Sequence, residues 1–188
     1  MKVLLLSPHD YGEPVAHAIS SAGDEVLRVN DGDHPNSWPL VDFIVSFGWR
    51  KIIREPILTN YYRHIINIHG SFLPFNRGAY PNLFSWIEDT PKGASIHFID
   101  QGIDTGPIIM RHAVDFTKAP NTTLASSYDI LKFTAEEMFR QAWPTIRKSN
   151  VTSTKQDPRV GSTHTIKDAE PIIARLSKGW DTPVSELC

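Results

Sequence analysis

Four short apolar runs, each closed by a polar turn, mark out the first part of the chain. Val3 to Leu6 is followed by Ser7-Pro8 and predicts a buried strand. Glu13 to Ala22 is helix-permissive and stops at Gly23. Glu25 to Val29, Asp42 to Phe47 and His64 to Ile68 predict three more strands, with a loop at Asp31 to Ser37. Lys51 to Leu58 predicts a short helix broken at Pro56. A turn-rich stretch from Gly70 to Gly78 leads into a helix at Pro81 to Glu88, with proline in its first turn. Ala94 to Ile99 and Pro107 to Val114 predict two further strands, joined by Asp100 to Gly106. Leu124, Tyr128, Leu131, Ala135, Met138 and Ala142 recur at steps of three and four, which is one face of a helix. Asn121 or Thr122 can cap that helix, and Pro144 kinks or ends it.

Beyond Ser149 the pattern turns polar, which predicts an extended tail with one short helix near Glu170 to Ser177. The tail carries Ile172, Ile173, Leu176 and Trp180, so it is expected to dock. The expected division is a domain at 1–148 and a packed extension at 149–188. Alternating strands and helices point to an α/β sandwich with a mostly parallel sheet. In such sheets ligands sit beyond the carboxyl ends of the strands. The turns after Phe47, Ile68 and Ile99 are therefore the places to look for chemistry.

Composition narrows the picture. The 188 residues are 40% hydrophobic and 21% charged, a globular balance. Lys plus Arg is 19 against 21 for Asp plus Glu, so the basic excess of a dedicated nucleic-acid binder is missing. No apolar run approaches the length that spans a bilayer. With Cys188 as the single cysteine no disulfide can form within the chain, and the expectation is a soluble cytoplasmic protein. The eight histidines lack zinc-motif spacing, so no metal ligands are assigned.

The densest chemical signal is Asn67-Ile68-His69-Gly70-Ser71-Phe72-Leu73-Pro74. Asn67 and His69 are two apart at a strand end, so both project to one face and can offer two donors to one oxyanion. The second signal is Asp100-Gln101-Gly102-Ile103-Asp104-Thr105-Gly106, a loop with two carboxylates and two glycines. Taken singly, each has an ordinary structural reading as a turn cap or an Asx-rich connection.

Taken together, in this order and spacing, they resemble the catalytic signature of the formyltransferases that use N10-formyltetrahydrofolate. The resemblance also includes Arg77-Gly78, Ser95-Ile96-His97-Phe98 and the Gly102-Ile103-Asp104-Thr105-Gly106 run. It implies a Rossmann-like formyltransferase fold and transfer of a formyl group to a primary amine, with N10-formyltetrahydrofolate as co-substrate and no metal. Asn67 and protonated His69 would donate to the oxygen of a tetrahedral intermediate. Asp104 would pair with His69 and help take the proton lost by the amine. Trp49, Arg50 and Ile52 on one turn, His97, and Ile99, Asp100, Gln101 and Gly102 on the other would surround the folate ring.

Within that family the segment Ser7-Pro8-His9-Asp10-Tyr11-Gly12 lacks the glycine-rich phosphate loop of the purine-pathway transformylase. The tRNA enzyme has a further C-terminal barrel domain, and the tail here has no strong basic excess. Asn76 to Gly93 and Gly179 to Val184 resemble the short sugar N-formyltransferases linked to surface polysaccharides. The expected acceptor is thus a nucleotide-linked amino deoxysugar, with Arg77 and Tyr80 as substrate-binding candidates, and homodimers are common in the family. The alternatives are a glycinamide ribonucleotide transformylase-like enzyme and a formyltetrahydrofolate hydrolase.

Overall fold

Strand β1 (Lys2–Leu6) reads as one apolar run because both of its faces are covered. Val3 and Leu5 pack on one side of the sheet, Leu4 and Leu6 on the other. The computed structural model describes residues 1–30 and 38–187, so the loop expected at 31–37 lies outside the described residues. Next come α1 (Glu13–Ser21), β2 (Glu25–Val29), β3 (Phe43–Phe47), α2 (Ile57–Asn60) and β4 (Ile65–His69). They are followed by β5 (Arg77–Gly78), α3 (Pro81–Ile87), β6 (Gly93–Phe98), β7 (Ile108–Ala113) and α4 (Leu124–Ile146). The tail carries β8 (Thr163–His164), α5 (Ile166–Ile173) and two short 3-10 turns.

The main sheet has the order β2-β1-β3-β4-β6-β7. Its pairings through β4 are parallel; β6 and β7 add on antiparallel. This is a Rossmann-like α/β fold with an antiparallel edge. On one face α1 and α4 bury Val15, Ile19, Met138, Phe139 and Trp143 against the sheet. On the other, Ile53 and Leu58 cover Leu4, Leu6, Ile44 and Ile65. A third apolar cluster joins Leu83, Phe84 and Leu124 to Ala169 and Val184, with Ile172, Ile173 and Leu176 at its margin.

Several boundaries differ from the sequence pattern, each for a local reason. The helix expected at 51–58 begins only at Ile57, because Pro56 disfavours helical backbone at Glu55; Glu55 Oε2 instead accepts the Thr59 N–H at 3.0 Å. Helix α4 is capped by Thr123, not by Asn121 or Thr122, in a reciprocal box with Ser126. It runs through Pro144 to Ile146, because Pro144 is exposed while Trp143 and Ile146 are buried anchors on either side. Tyr128 is not on the buried face: it is 45% exposed, and its hydroxyl donates to that of Tyr11 at 3.0 Å. The tail helix expected at 170–177 lies at 166–173, where Thr165 and Asp168 form a second capping box. Beneath α4, the buried Asp24 carboxylate accepts from the N-terminal ammonium, Trp143 Nε1 and Arg147.

Candidate active site

In β4 the two-residue repeat turns Asn67 and His69 to the same face, and the register sets Asn67 opposite His97 of β6. Asn67 Nδ2 lies 3.3 Å from His97 Nε2 and donates to Asp104 Oδ1 at 3.2 Å. Asp104 arrives from the connection between β6 and β7, which folds back over β4. Its Oδ2 lies 3.5 Å from His69 Nδ1, and its Oδ1 lies 3.4 Å from His97 Nε2. The Gly78 N–H completes the set, donating to Asp104 Oδ2 at 2.8 Å. Gly78 must be glycine: its φ is +84°, and a Cβ there would sit 2.3 Å from the His164 carbonyl oxygen.

The Asp104 side chain is only 15% exposed. Burial alone would raise its carboxyl. The charges of His69 and His97, a hydrogen bond from His97 and the Gly78 N–H outweigh burial and hold it well below the ordinary carboxylate range. Asp104 is therefore an anion facing two imidazoles.

The hydrogen bonds also orient the rings. His97 Nδ1 donates to the Phe98 carbonyl at 2.8 Å, so in the neutral ring Nε2 is an acceptor for the Asn67 amide. His69 Nε2 donates to the Asn76 carbonyl at 3.0 Å. Nδ1 is then the His69 nitrogen that gains or loses a proton, and it is the one that faces Asp104. Asn67 Nδ2 and a protonated His69 Nδ1 are two donors beside one carboxylate. This arrangement can stabilise a developing oxyanion while the carboxylate takes a proton.

The other candidate residues are spread around this centre. Trp49 and Ile99 both pack against the apolar cluster on this face of the sheet. Ile52 is 60% exposed, and Arg50, Gln101 and Gly102 are also exposed. Asp100 Oδ1 accepts from the Gly102 N–H at 3.1 Å and the Thr105 hydroxyl at 2.6 Å, so its side chain shapes the loop. A cavity of about 330 Å³ opens between α2 and this loop, lined by Leu58, Tyr62, Phe98, Ile99 and Gln101 among others. Arg77 is buried rather than open to the surface; its Nε donates to Gln156 Oε1 at 3.0 Å and its Nη2 to the Val160 carbonyl at 3.3 Å. Burial lowers the Arg77 guanidinium from its ordinary value, against the opposing pull of Asp104 and Asp100. Tyr80, at φ +50°, stacks on Trp180 with ring centroids 5.9 Å apart.

Three residues that the sequence pattern did not single out also reach the centre. Asn76 holds His69, Gln156 holds the Asp104 backbone, and Ser162 holds Asn76. For Gln156 and Ser162 the only signal was that they are polar residues in a tail expected to dock through its apolar side chains. Among the described residues no group of His, Cys, Asp or Glu is arranged to hold a metal ion, and no helix is long and apolar enough to cross a membrane.

Comparison with known proteins gives a family match. Residues 37–142 match the family model described as formyl transferase. The methionyl-tRNA formyltransferase of Roseobacter denitrificans is 29% identical over 177 residues, covering 94% of this chain and 53% of that protein. The chain spans about half or less of the length of the curated relatives it matches. The crystal structure of the formyltransferase PseJ from Anoxybacillus kamchatkensis, in complex with UDP-4,6-dideoxy-4-formamido-L-AltNAc and tetrahydrofolate, is 41% identical. It superposes with a TM-score of 0.91, covering 100% of this chain and 97% of that one. A 4-N formyltransferase from Francisella tularensis shares the fold at 20% identity, with a TM-score of 0.75 over 92% of this chain and 79% of that one.

Proposed function

The chain belongs to the formyl transferase family, and from that membership we propose that it moves a formyl group from N10-formyltetrahydrofolate to a primary amine of a nucleotide-linked amino deoxysugar. The observation that carries the reading is the convergence of Asn67, His69 and Asp104, with Asn67 Nδ2 3.2 Å and His69 Nδ1 3.5 Å from the Asp104 carboxylate. The choice of acceptor is supported by the 41% identical PseJ, whose crystals hold a UDP-linked formamido sugar and tetrahydrofolate.

The residues divide the work as follows. As the formyl oxygen gains charge, Asn67 Nδ2 turns to it the hydrogen that otherwise goes to Asp104 Oδ1, and protonated His69 Nδ1 donates beside it. One such donor is typically worth about 10²–10³ in rate. Asp104 accepts the proton that the amine sheds as its nitrogen bonds to the formyl carbon, a general-base role of roughly 10²–10⁴. As the bond from that carbon to the folate nitrogen breaks, that nitrogen takes up a proton, which balances the transfer. His97 holds Asn67 and Asp104 in place.

We assign the flat ring of the formyl donor to the Trp49 to Ile52 turn and the Ile99 to Gly102 loop, a reading supported by Trp49 and Ile99 packing on one apolar cluster. We assign Tyr80, which stacks on Trp180 and lies two residues after Gly78, to the acceptor side. Arg77 acts from beneath, as a buried charge under the 156–160 segment.

The test is release of tetrahydrofolate from N10-formyltetrahydrofolate, followed by absorbance with a panel of amines. The panel holds 3-amino and 4-amino nucleotide-linked deoxysugars, glycinamide ribonucleotide and a no-amine control. Turnover confined to an amino sugar supports the reading. Equal release without any amine would make the protein a hydrolase, and turnover with glycinamide ribonucleotide alone would replace the acceptor.

A further inference from the structure

Asn76 is fully buried and sits in the left-handed region at φ +55°, an uncommon place for a non-glycine residue. Every polar group it owns is occupied. Its side-chain amide nitrogen donates to Glu88 Oε2 at 3.0 Å and to Ser162 Oγ at 3.4 Å. Its Oδ1 accepts from the Thr90 hydroxyl at 2.7 Å, and its backbone N–H donates to Ser162 Oγ at 3.1 Å. The remaining group, its carbonyl, accepts from His69 Nε2. Ser162 is equally committed, because its own proton goes to Glu88 Oε2 at 2.7 Å.

A second anchor of the same kind lies on the other side. Gln156 Nε2 donates to the carbonyls of Asp104 and Gly106, both at 2.8 Å, while its Oε1 accepts from Arg77. Asp104 is itself left-handed, at φ +52°, so its backbone needs a restraint to stay where its carboxylate faces His69. The tail lies flush on the turn that carries these groups. Arg77 N–H donates to the Ser162 carbonyl at 3.0 Å, and at Gly161 a Cβ would sit 1.9 Å from the Pro74 carbonyl oxygen. Gln156 and Ser162 both lie beyond residue 142, where the family match ends.

Resting on the reading above, we propose that the tail is a positioning clamp for the catalytic pair, acting on His69 through Ser162 and Asn76 and on Asp104 through Gln156. A saturated buried polar network costs desolvation and ordering and gives little net stability, but it fixes one geometry. Here the geometry that it fixes is the direction of one carbonyl. That carbonyl keeps the proton on His69 Nε2 and leaves Nδ1 for Asp104 and substrate. None of Asn76, Ser162 or Gln156 needs to touch substrate.

The experiment uses the full chain. Asn76→Asp sets a carboxylate against Glu88, and adding Glu88→Gln restores one amide and one carboxylate with their places exchanged. The clamp predicts a kcat at least about tenfold lower for Asn76→Asp with both KM values within about threefold, and recovery to within about threefold in the double variant. Long-range proton–nitrogen NMR of His69, recorded where the ring is neutral, should show Nε2–H in the wild type and in the double variant. It should show mixed tautomers in Asn76→Asp. If Asn76→Asp does not fold, Ser162→Ala and Gln156→Leu decide, each with a several-fold fall in kcat at unchanged KM.

A wild-type Nδ1–H tautomer would overturn the proposal. So would folded variants with normal kcat, or a double variant as impaired as the single. The NMR readout needs no turnover. Silence of the wild type with every amine would therefore sink the formyl-transfer reading while the clamp is judged separately.

Discussion

Replacing Asp104 by Asn separates chemistry from structure, because the two side chains have the same shape. The carboxylate accepts true hydrogen bonds from the Gly78 N–H at 2.8 Å and the Asn67 amide at 3.2 Å. An asparagine can keep its oxygen toward Gly78 and turn its NH₂ toward His97 Nε2, which accepts in the neutral ring. The Gly78 bond thus becomes a neutral one, a loss of about 1 kcal/mol, and the Asn67 amide, now facing an NH₂ where Oδ1 stood and sharing the single His97 Nε2 lone pair, loses its bond to residue 104, a further cost of about 1–3 kcal/mol. The fold should survive, with Tm lower by about 2–4 °C for each kcal/mol. On the proposed mechanism the substitution also removes the proton acceptor outright, and kcat should fall by about 10²–10⁴ in the tetrahydrofolate-release assay.

The pH dependence gives a second reading of the same variant. The folded carboxyl lies below its ordinary value of 3.8, so the wild type holds this stabilisation above about pH 4. It loses it as pH falls through the lower folded value. The stability gap between wild type and Asp104→Asn should therefore be full at neutral pH and narrow on acidification. A folded Asp104→Asn enzyme within about fivefold of wild-type kcat would refute the base role. A gap that widens in acid would refute the electrostatic account.

Other substitutions probe the remaining parts. Asn67→Ala should lower kcat by about 10²–10³ with Tm little changed, as read by single-turnover rates and a thermal melt. Gly78→Ala meets both a positive φ and the His164 carbonyl, so it should lower Tm and kcat together, in contrast to Asn67→Ala. Asp24→Asn removes the charge that Arg147 and the N-terminal ammonium share beneath α4. It should lower Tm by more than about 4 °C and leave kcat at temperatures well below the melt unchanged.

The sheet was legible in the sequence because its strands obey one rule at a time. Val3 to Leu6 is a continuous apolar run, Phe43 to Phe47 is interrupted only by the buried Ser46, and both are buried on two faces. The helix boundaries that failed did so where a single side chain overrides the period. Thr123 and Thr165 cap through boxes closed by Ser126 and Asp168, patterns weaker than the usual Glu or Gln. The pairing of β5 with β8 left no trace, since two residues per strand carry no periodicity.

The site divides along the same line. Asn67, His69 and Asp104 were legible as candidates because each carries its own chemistry and their order along the chain is specific, and the fold brings the three side chains together. The residues that hold them were not, because holding is a relation between distant segments. Ser162 reads as surface until Asn76 is buried beneath it, and Gln156 reads as surface until Asp104 and Gly106 turn their carbonyls toward it. Arg77 carries both kinds of information: its charge reads as an anion-binding group, while its hydrogen bonds from Nε to Gln156 and from Nη2 to the Val160 carbonyl appear only in the folded chain. A formyl-transfer centre needs few chemical groups but tight placement of each, so a large share of its specification lies in residues whose types, taken alone, say nothing about catalysis.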